Sequence, residues 1–388
     1  MIHDEIFFTK AEILRRAEKY EYPNSLAVEM FLWDCELASQ LQSICDDLIL
    51  KGGAATQLHL PLERQRGSRD IDMVTSLKKE NIREIIQKLD EKLQGSVKFV
   101  LHEPKKPKIK LPLQTYFAHV PSKTNSDYDE LQIKIDFMCE LPKLPSIVLS
   151  NVQTYAVEIK NIRCSTAGAL TGDKLLSLAE GSIGLELKAD FPKQIYDIDA
   201  LLGTCKISES FVNDFKHSVS TLTAIEASFR NRTTTPNEAL ADVIRTMDEY
   251  SLVDTPSGKK ETKQEIEKFQ QFFVSKSQRK PNYEWSTKAL RIKFLATLAS
   301  RLLEGKMSDT EVTKSLTEYV SIERRLENIQ GAVIPELRNE MMKLAQTNIP
   351  HFKDLRGKPL KRVFCQIVTP ENFEKLIPIV TKHKPGIG

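Results

Sequence analysis

The sequence predicts an α+β fold: a small mixed β-sheet flanked by helices over residues 1–205, then a helical domain over residues 206–388. Three observations lead there. Short apolar runs broken by Gly, Pro and polar clusters fill residues 48–159 and read as strands. After about Gly203 the strand signals disappear and apolar positions recur at helical spacing. No fixed-period repeat runs through the chain, which disfavours a solenoid.

Helical patterns open the chain at Lys10 to Tyr20 and at Asn24 to Asp47. In the second, Leu26, Met30, Trp33, Leu37 and Leu41 recur at helical spacing behind the N-cap candidates Asn24 and Ser25. Strands are expected at residues 48–52, 70–75, 97–103, 112–119, 130–139 and 152–159, with a helix at 79–94. From Asp46-Asp47 to Gly52-Gly53 the order reads helix, short strand, tight glycine turn, helix. Further helices are expected over 207–229, 235–251, 260–275, 283–305, 309–327 and 330–346, joined by Pro, Gly and Ser linkers.

Composition narrows the class of function. With 388 residues, 40% hydrophobic and 28% charged, a packed core is within reach and wholesale disorder is excluded. The net charge of +3 excludes a polycation and an acidic tail, leaving nucleic acid only to a local basic patch. No apolar run approaches the ~18 residues of a membrane span. The start, MIHDEIFFTKAEILRRAEKY, has no signal-peptide pattern, so a cytoplasmic location is expected. Six cysteines without a CxxC pair read as buried free thiols, and seven dispersed histidines argue against a zinc enzyme.

The chemistry concentrates in LILKGGAATQLHLPLERQRGSRDIDMV, residues 48–74. Asp70 and Asp72 are two apart in a strand, so both carboxylates share one face while Ile71 and Met73 take the other. Like charges so placed repel unless a cation lies between them. A solvated strand face is the bland alternative. A second strand, LQIKIDFM, carries Lys134 and Asp136 on one face in the same way. Three carboxylates on neighbouring strands suit Mg²⁺, which takes oxygen ligands and completes its shell with substrate phosphates. Gly52-Gly53, between a strand and a helix, would let a triphosphate approach the backbone and the helix-start N–H groups.

These pieces resemble the AbiEii/AbiGii-type nucleotidyltransferase toxins of the DNA polymerase β-like superfamily. The matching segments are KGGAATQLHL (51–60), RGSRDIDM (66–73), KID (134–136), GDKLLSL (172–178) and KQIYDIDAL (193–201), in the family's order, within residues 45–203. The resemblance implies that Asp70, Asp72 and Asp136 ligate the metal and that Gly52, Gly53 and Ser68 contact nucleotide phosphates. It implies that Lys174 neutralises triphosphate charge and that Asp197 faces the site from the adjoining helix. Lys134 and Lys193 are further nucleotide-binding candidates. Plainer readings stand beside these: Ser68 as a turn residue, Lys174 as a solvent-facing lysine, and Asp197 paired with Lys193 at i, i+4. The family's usual acid after the lysine of the last motif is Gln194 here, and its usual arginine between Lys174 and Lys193 has no clear counterpart.

Cations cluster in three places: EPKKPKIK (103–110), the group Lys276, Arg279 and Lys280, and HFKDLRGKPLKR (351–362), with Lys353, Arg356, Lys358, Lys361 and Arg362. Each reads as a solvated loop or as phosphate contacts to an RNA acceptor bound by the helical domain. The expected reaction is Mg²⁺-dependent transfer of a nucleoside monophosphate from an NTP to an acceptor hydroxyl. The resemblance implies the tRNA 3′ end as acceptor, and a toxin countered by a separate antitoxin protein. The competing readings are transfer to a small molecule or protein, and a non-catalytic nucleotide- or RNA-binding protein on the same scaffold.

Overall fold

The structure is a computed structural model that describes residues 1–22, 24–103, 112–125, 129–330, 333–344, 355 and 357–383. The chain forms two compact units. The first comprises residues 1–173, 225–233 and 267–279; the second comprises residues 174–224, 234–266 and 280–388. Both are discontinuous in sequence, so no single cut, at residue 205 or elsewhere, separates them.

The first unit holds a seven-stranded mixed sheet in the order β3-β4-β5-β2-β1-β7-β6. Its strands are β1 (Ile49–Lys51), β2 (Asp70–Val74), β3 (Lys98–Leu101), β4 (Leu113–Pro121), β5 (Glu130–Met138), β6 (Ser146–Gln153) and β7 (Glu158–Ser165). The central strands set the register that matters. β1 runs antiparallel to β2 with Lys51 opposite Asp72. β2 runs parallel to β5 with Asp70 opposite Lys134 and Asp72 opposite Asp136. Alternation turns Ile71, Met73, Ile133, Ile135 and Phe137 into the core, all fully buried.

Helices α1 (Lys10–Lys19), α2 (Ser25–Ile44), α3 (Gly52–Leu58) and α4 (Lys79–Leu93) belong to this unit. Of the two cap candidates Asn24 is the one used, accepting from Leu26 N–H at 2.8 Å; α1 is capped by Thr9, which accepts from Glu12 N–H at 3.3 Å. α2 is buried on nearly every side, packing against α1, α3, α4, β2, β5 and β7. The helix α5 (Ala167–Ser177) begins here, and its residues from Lys174 onward belong to the second unit.

One predicted strand is corrected. Residues 152–159 are not one strand: 152–153 end β6, 158–159 begin β7, and 154–157 form the turn between them, where Thr154 N–H donates to Val157 O at 3.0 Å. The Thr154 hydroxyl oxygen also accepts from Ala156 and Val157 N–H, which closes the turn without Gly or Asn. With no glycine or proline at the bend, the apolar run VQTYAVEI looked continuous.

The second unit is helical, as expected beyond Gly203: α6 (Phe191–Thr204), α7 (Glu209–Phe229), α8 (Pro236–Tyr250), α9 (Lys260–Phe273), α10 (Asn282–Leu303), α11 (Asp309–Glu327) and α12 (Val333–Leu344), with the end of α7 from residue 225 and the last half of α9 from residue 267 belonging to the first unit. Capping boxes start α8 (Thr235 with Glu238) and α11 (Ser308 with Glu311). α10 lies at the centre and packs on α6, α8 and α11. Two helices escaped the sequence reading, α13 (Leu360–Ile367) and α14 (Phe373–Thr381). In α13 the adjacent cations of LKRVFCQI masked a helical apolar face formed by Leu360, Val363, Phe364 and Ile367.

The C-terminal basic cluster is likewise corrected. Lys353 and Arg356 lie outside the described residues, as do 104–110 of the lysine-rich segment. Lys358 pairs with Asp254 at 3.0 Å, Lys361 with Glu327 at 2.5 Å and Arg362 with Asp254 at 3.2 Å. Arg362 is only 2% exposed. These cations hold α13 to its neighbours and are neutralised in doing so. All six cysteines are free, as predicted, and no helix among the described residues is long and apolar enough to cross a membrane.

Candidate active site

The strand register builds the site in the first unit. Asp70, Asp72, Lys134 and Asp136 project from the sheet face opposite the buried residues of β2 and β5. All four are half-buried. Lys134 Nζ meets Asp136 Oδ2 at 2.5 Å, and Thr115 of β4 donates to Asp136 Oδ1 at 2.6 Å. Lys51, opposite Asp72, reaches Asp173 of α5 at 3.2 Å.

Crowded carboxylates change the electrostatics. Burial pushes the Asp72 carboxyl up; Lys51 pulls against it, and Asp136 and Asp70 add to the rise, leaving it at about 6. Burial tends to discharge Lys51, but Asp173, Asp72 and Glu226 outweigh it and raise its pKa. Lys134 is raised in the same way, by Asp136, Asp70 and Asp72 against burial. The site carries a surplus of negative charge that two lysines answer only in part.

The glycine turn closes the other side. Gly52 has φ +69°, and a Cβ there would overlap the Asp72 carboxylate, 2.7 Å from its Cγ. A Cβ on Gly53 would stand 3.1 Å from Ser68 Oγ and 3.2 Å from an Arg66 guanidinium nitrogen. Ser68 is buried and directed at the glycine turn, so it is more than a surface turn residue. The turn leads straight into α3.

A hard divalent cation fits this donor set, since three carboxylates from adjacent parallel strands supply the oxygen ligands it takes. As the side chains stand, no three His, Cys, Asp or Glu among the described residues are gathered as a metal site. The acids share a face and a register but do not converge, because Asp136 is turned to Lys134 and Thr115.

Three predicted residues belong to the second unit. Lys174 is 4% exposed and pairs at 2.6 Å with Asp197 of α6, itself fully buried. Lys174 Nζ also donates to Gln194 Oε1 at 3.3 Å, so the residue that replaces the family's acid serves the same lysine. Lys193 reaches Asp190 at 3.3 Å. Lys174→Met would strand a buried carboxylate. That is expected to destabilise the protein by about 3 kcal/mol or more, read as a lower urea midpoint, with Lys174→Met/Asp197→Leu recovering much of the loss.

Several site residues escaped the sequence reading. Lys51 and Asp173 lie within the segments KGGAATQLHL and GDKLLSL, and their charge beside Gly52-Gly53 and Lys174 was the available signal. Arg66, 1% exposed, donates to Gly67 O at 2.6 Å and braces the loop before Asp70. Asp34 interrupts the apolar face of α2 in FLWDCELA. Glu29 and Glu36 on the same helix are fully hydrogen-bonded, whereas neither oxygen of the buried Asp34 has a partner among the described residues. Burial, then the charges of Asp70 and Asp72, push its carboxyl well above the carboxylate range.

The family model described as "Nucleotidyl transferase AbiEii toxin, Type IV TA system" matches residues 37–290, more than half of the chain. No curated protein matches the sequence. A crystal structure described as that of a "putative nucleotidyltransferase from H. pylori" is similar at 14% identity with a TM-score of 0.38, covering 71% of this chain and 96% of that one. By the family model, the chain belongs to the AbiEii nucleotidyltransferase toxin family of type IV toxin–antitoxin systems.

Proposed function

We propose that the chain transfers a nucleoside monophosphate from an NTP to the 3′-terminal hydroxyl of a tRNA and releases pyrophosphate. The new bond joins the acceptor oxygen to the α-phosphorus, the bond from the α-phosphorus to the pyrophosphate oxygen breaks, and the hydroxyl proton is lost. The observation that carries this reading is the alignment of Asp72 with Asp136, and of Asp70 with Lys134, on one face beside a glycine turn.

Asp70, Asp72 and Asp136 would hold Mg²⁺, with Asp136 exchanging its bond to Lys134 for the metal. The bound ion would activate the attacking hydroxyl and offset charge on the transferring phosphoryl group. Gly52 and Gly53 let the triphosphate approach the backbone at the start of α3, and Ser68 donates to it. Lys134, once released from Asp136, and Lys193 are cations for the same phosphates. Lys174 neutralises triphosphate charge, with Asp197 and Gln194 fixing its ammonium. The toxin acts by modifying its acceptor in the cytoplasm and is countered by an antitoxin protein.

Incubation with each labelled NTP, Mg²⁺ and total RNA tests the reading. One NTP is expected to label tRNA, and a chelator is expected to abolish the label. Failure of all four NTPs to label RNA, with transfer to a small molecule or a protein instead, would overturn the choice of acceptor.

A further inference from the structure

The end of α9 returns to the first unit and docks on the loop that precedes the acids. Gly67 N–H donates to Phe273 O at 2.8 Å, and Lys276 N–H donates to Glu21 O at 3.2 Å. The guanidinium of Arg69 lies over the Phe273 ring, 4.6 Å from its centroid. Phe273 in turn stacks on Phe269 at 5.7 Å, the i, i+4 neighbour on its helix face. Arg69 immediately precedes Asp70, so this layer ends one residue from the acids.

The adjoining face of α9 is open. Phe272 is 55% exposed, which is high for a large apolar side chain beside a catalytic motif. Lys268 stands one turn before it on the same face, and Lys276 follows the end of the helix. Arg69, Lys268 and Lys276 are exposed and form no ion pair among the described residues. The contrast with Lys358, Lys361 and Arg362, each tied to a carboxylate, is direct. Free cations interleaved with an exposed ring and a flat guanidinium suit single-stranded nucleic acid: the cations take phosphates, and the flat groups take bases of any sequence.

We propose that Lys268, Phe272, Arg69 and Lys276 form the platform for the unpaired terminal nucleotides of the acceptor. A base stacks on Phe272 and another on the open side of the Arg69 guanidinium, while the lysines contact the backbone. The proposal rests on the reading of RNA as acceptor.

Binding of the full-length protein to a fluorescent single-stranded oligoribonucleotide and to tRNA, followed by anisotropy, tests it. Phe272→Ala is expected to weaken both about tenfold, and Phe272→Trp to restore them, as for a stacking contact. Lys268→Gln/Lys276→Gln is expected to lower the slope of log affinity against log salt by about 1.4, two phosphate contacts' worth for a single strand. A fluorescent NTP should bind all variants as it binds the parent. Because these side chains are exposed, the variants should melt with the parent. Parent-like RNA affinity in both variants would overturn the platform and leave the RNA reading standing. A parent protein that binds neither RNA would overturn that reading, and the platform with it.

Discussion

Asp70→Ala is expected to fold normally and to transfer nucleotide about 10³-fold more slowly or worse, because each ~1.4 kcal/mol of lost transition-state stabilisation is tenfold in rate and a metal-holding acid supplies several. Asp72→Asn should lose as much activity and gain stability. The folded Asp72 carboxyl titrates at about 6, above its ordinary 3.8. An acid raised in this way keeps its proton in the folded state while the unfolded chain releases it. Its contribution therefore favours folding below about pH 4, is lost as pH rises from 4 to 6, and weighs against folding above 6. Asparagine cannot ionise. In chelator, Asp72→Asn should be more stable than the parent by roughly 1–2 kcal/mol at pH 8, after allowance for its partial exposure, and no more stable at pH 4. Denaturant midpoints at the two pH values check the sign. Equal midpoints at pH 8, or wild-type transfer by either variant, would contradict the account of the acids.

Gly52→Ala is expected to lose activity comparably through geometry alone. Its φ of +69° costs an L-residue about 1–2 kcal/mol, and the added methyl overlaps the Asp72 carboxylate. Asp72 must swing away from Asp136 to accommodate it, so the acids are no longer aligned. Gly95→Ala is the control. That glycine has φ +74° with nothing within 4 Å of an added Cβ. Gly95→Ala should lose the φ cost alone and Gly52→Ala at least as much in a melt, and only Gly52→Ala should lose nucleotide transfer. If Gly95→Ala proved equally inactive, backbone strain rather than the Asp72 contact would be responsible.

Much of this site was legible because its logic is local. A two-residue period places Asp70 with Asp72 and Lys134 with Asp136 whatever the rest of the chain does, and a Gly-Gly between strand and helix marks a left-handed turn. The start of α2 was legible because its cap supplied a side-chain acceptor, at Asn24. The β6–β7 turn was not, because Thr154 closes it with a hydroxyl in place of the glycine that would have announced it.

The sequence by itself determined the α+β class, the change to helix beyond Gly203 and the placing of Asp70 with Asp72 and of Lys134 with Asp136 on shared strand faces, all consequences of periodicity and short-range spacing. Tertiary structure alone decided who meets whom. Lys51 faces Asp72 because β1 and β2 pair antiparallel in that register, and Asp136 faces Asp72 because β5, sixty residues on, pairs parallel. It decided that Lys361 and Arg362 are neutralised by Glu327 and Asp254, so that a cluster of charge in sequence is not a cluster of free charge in space. It also brought Phe273, two hundred residues away, under Arg69. Partner choice of this kind depends on contacts between segments far apart in the chain, and neither periodicity nor composition carries that information.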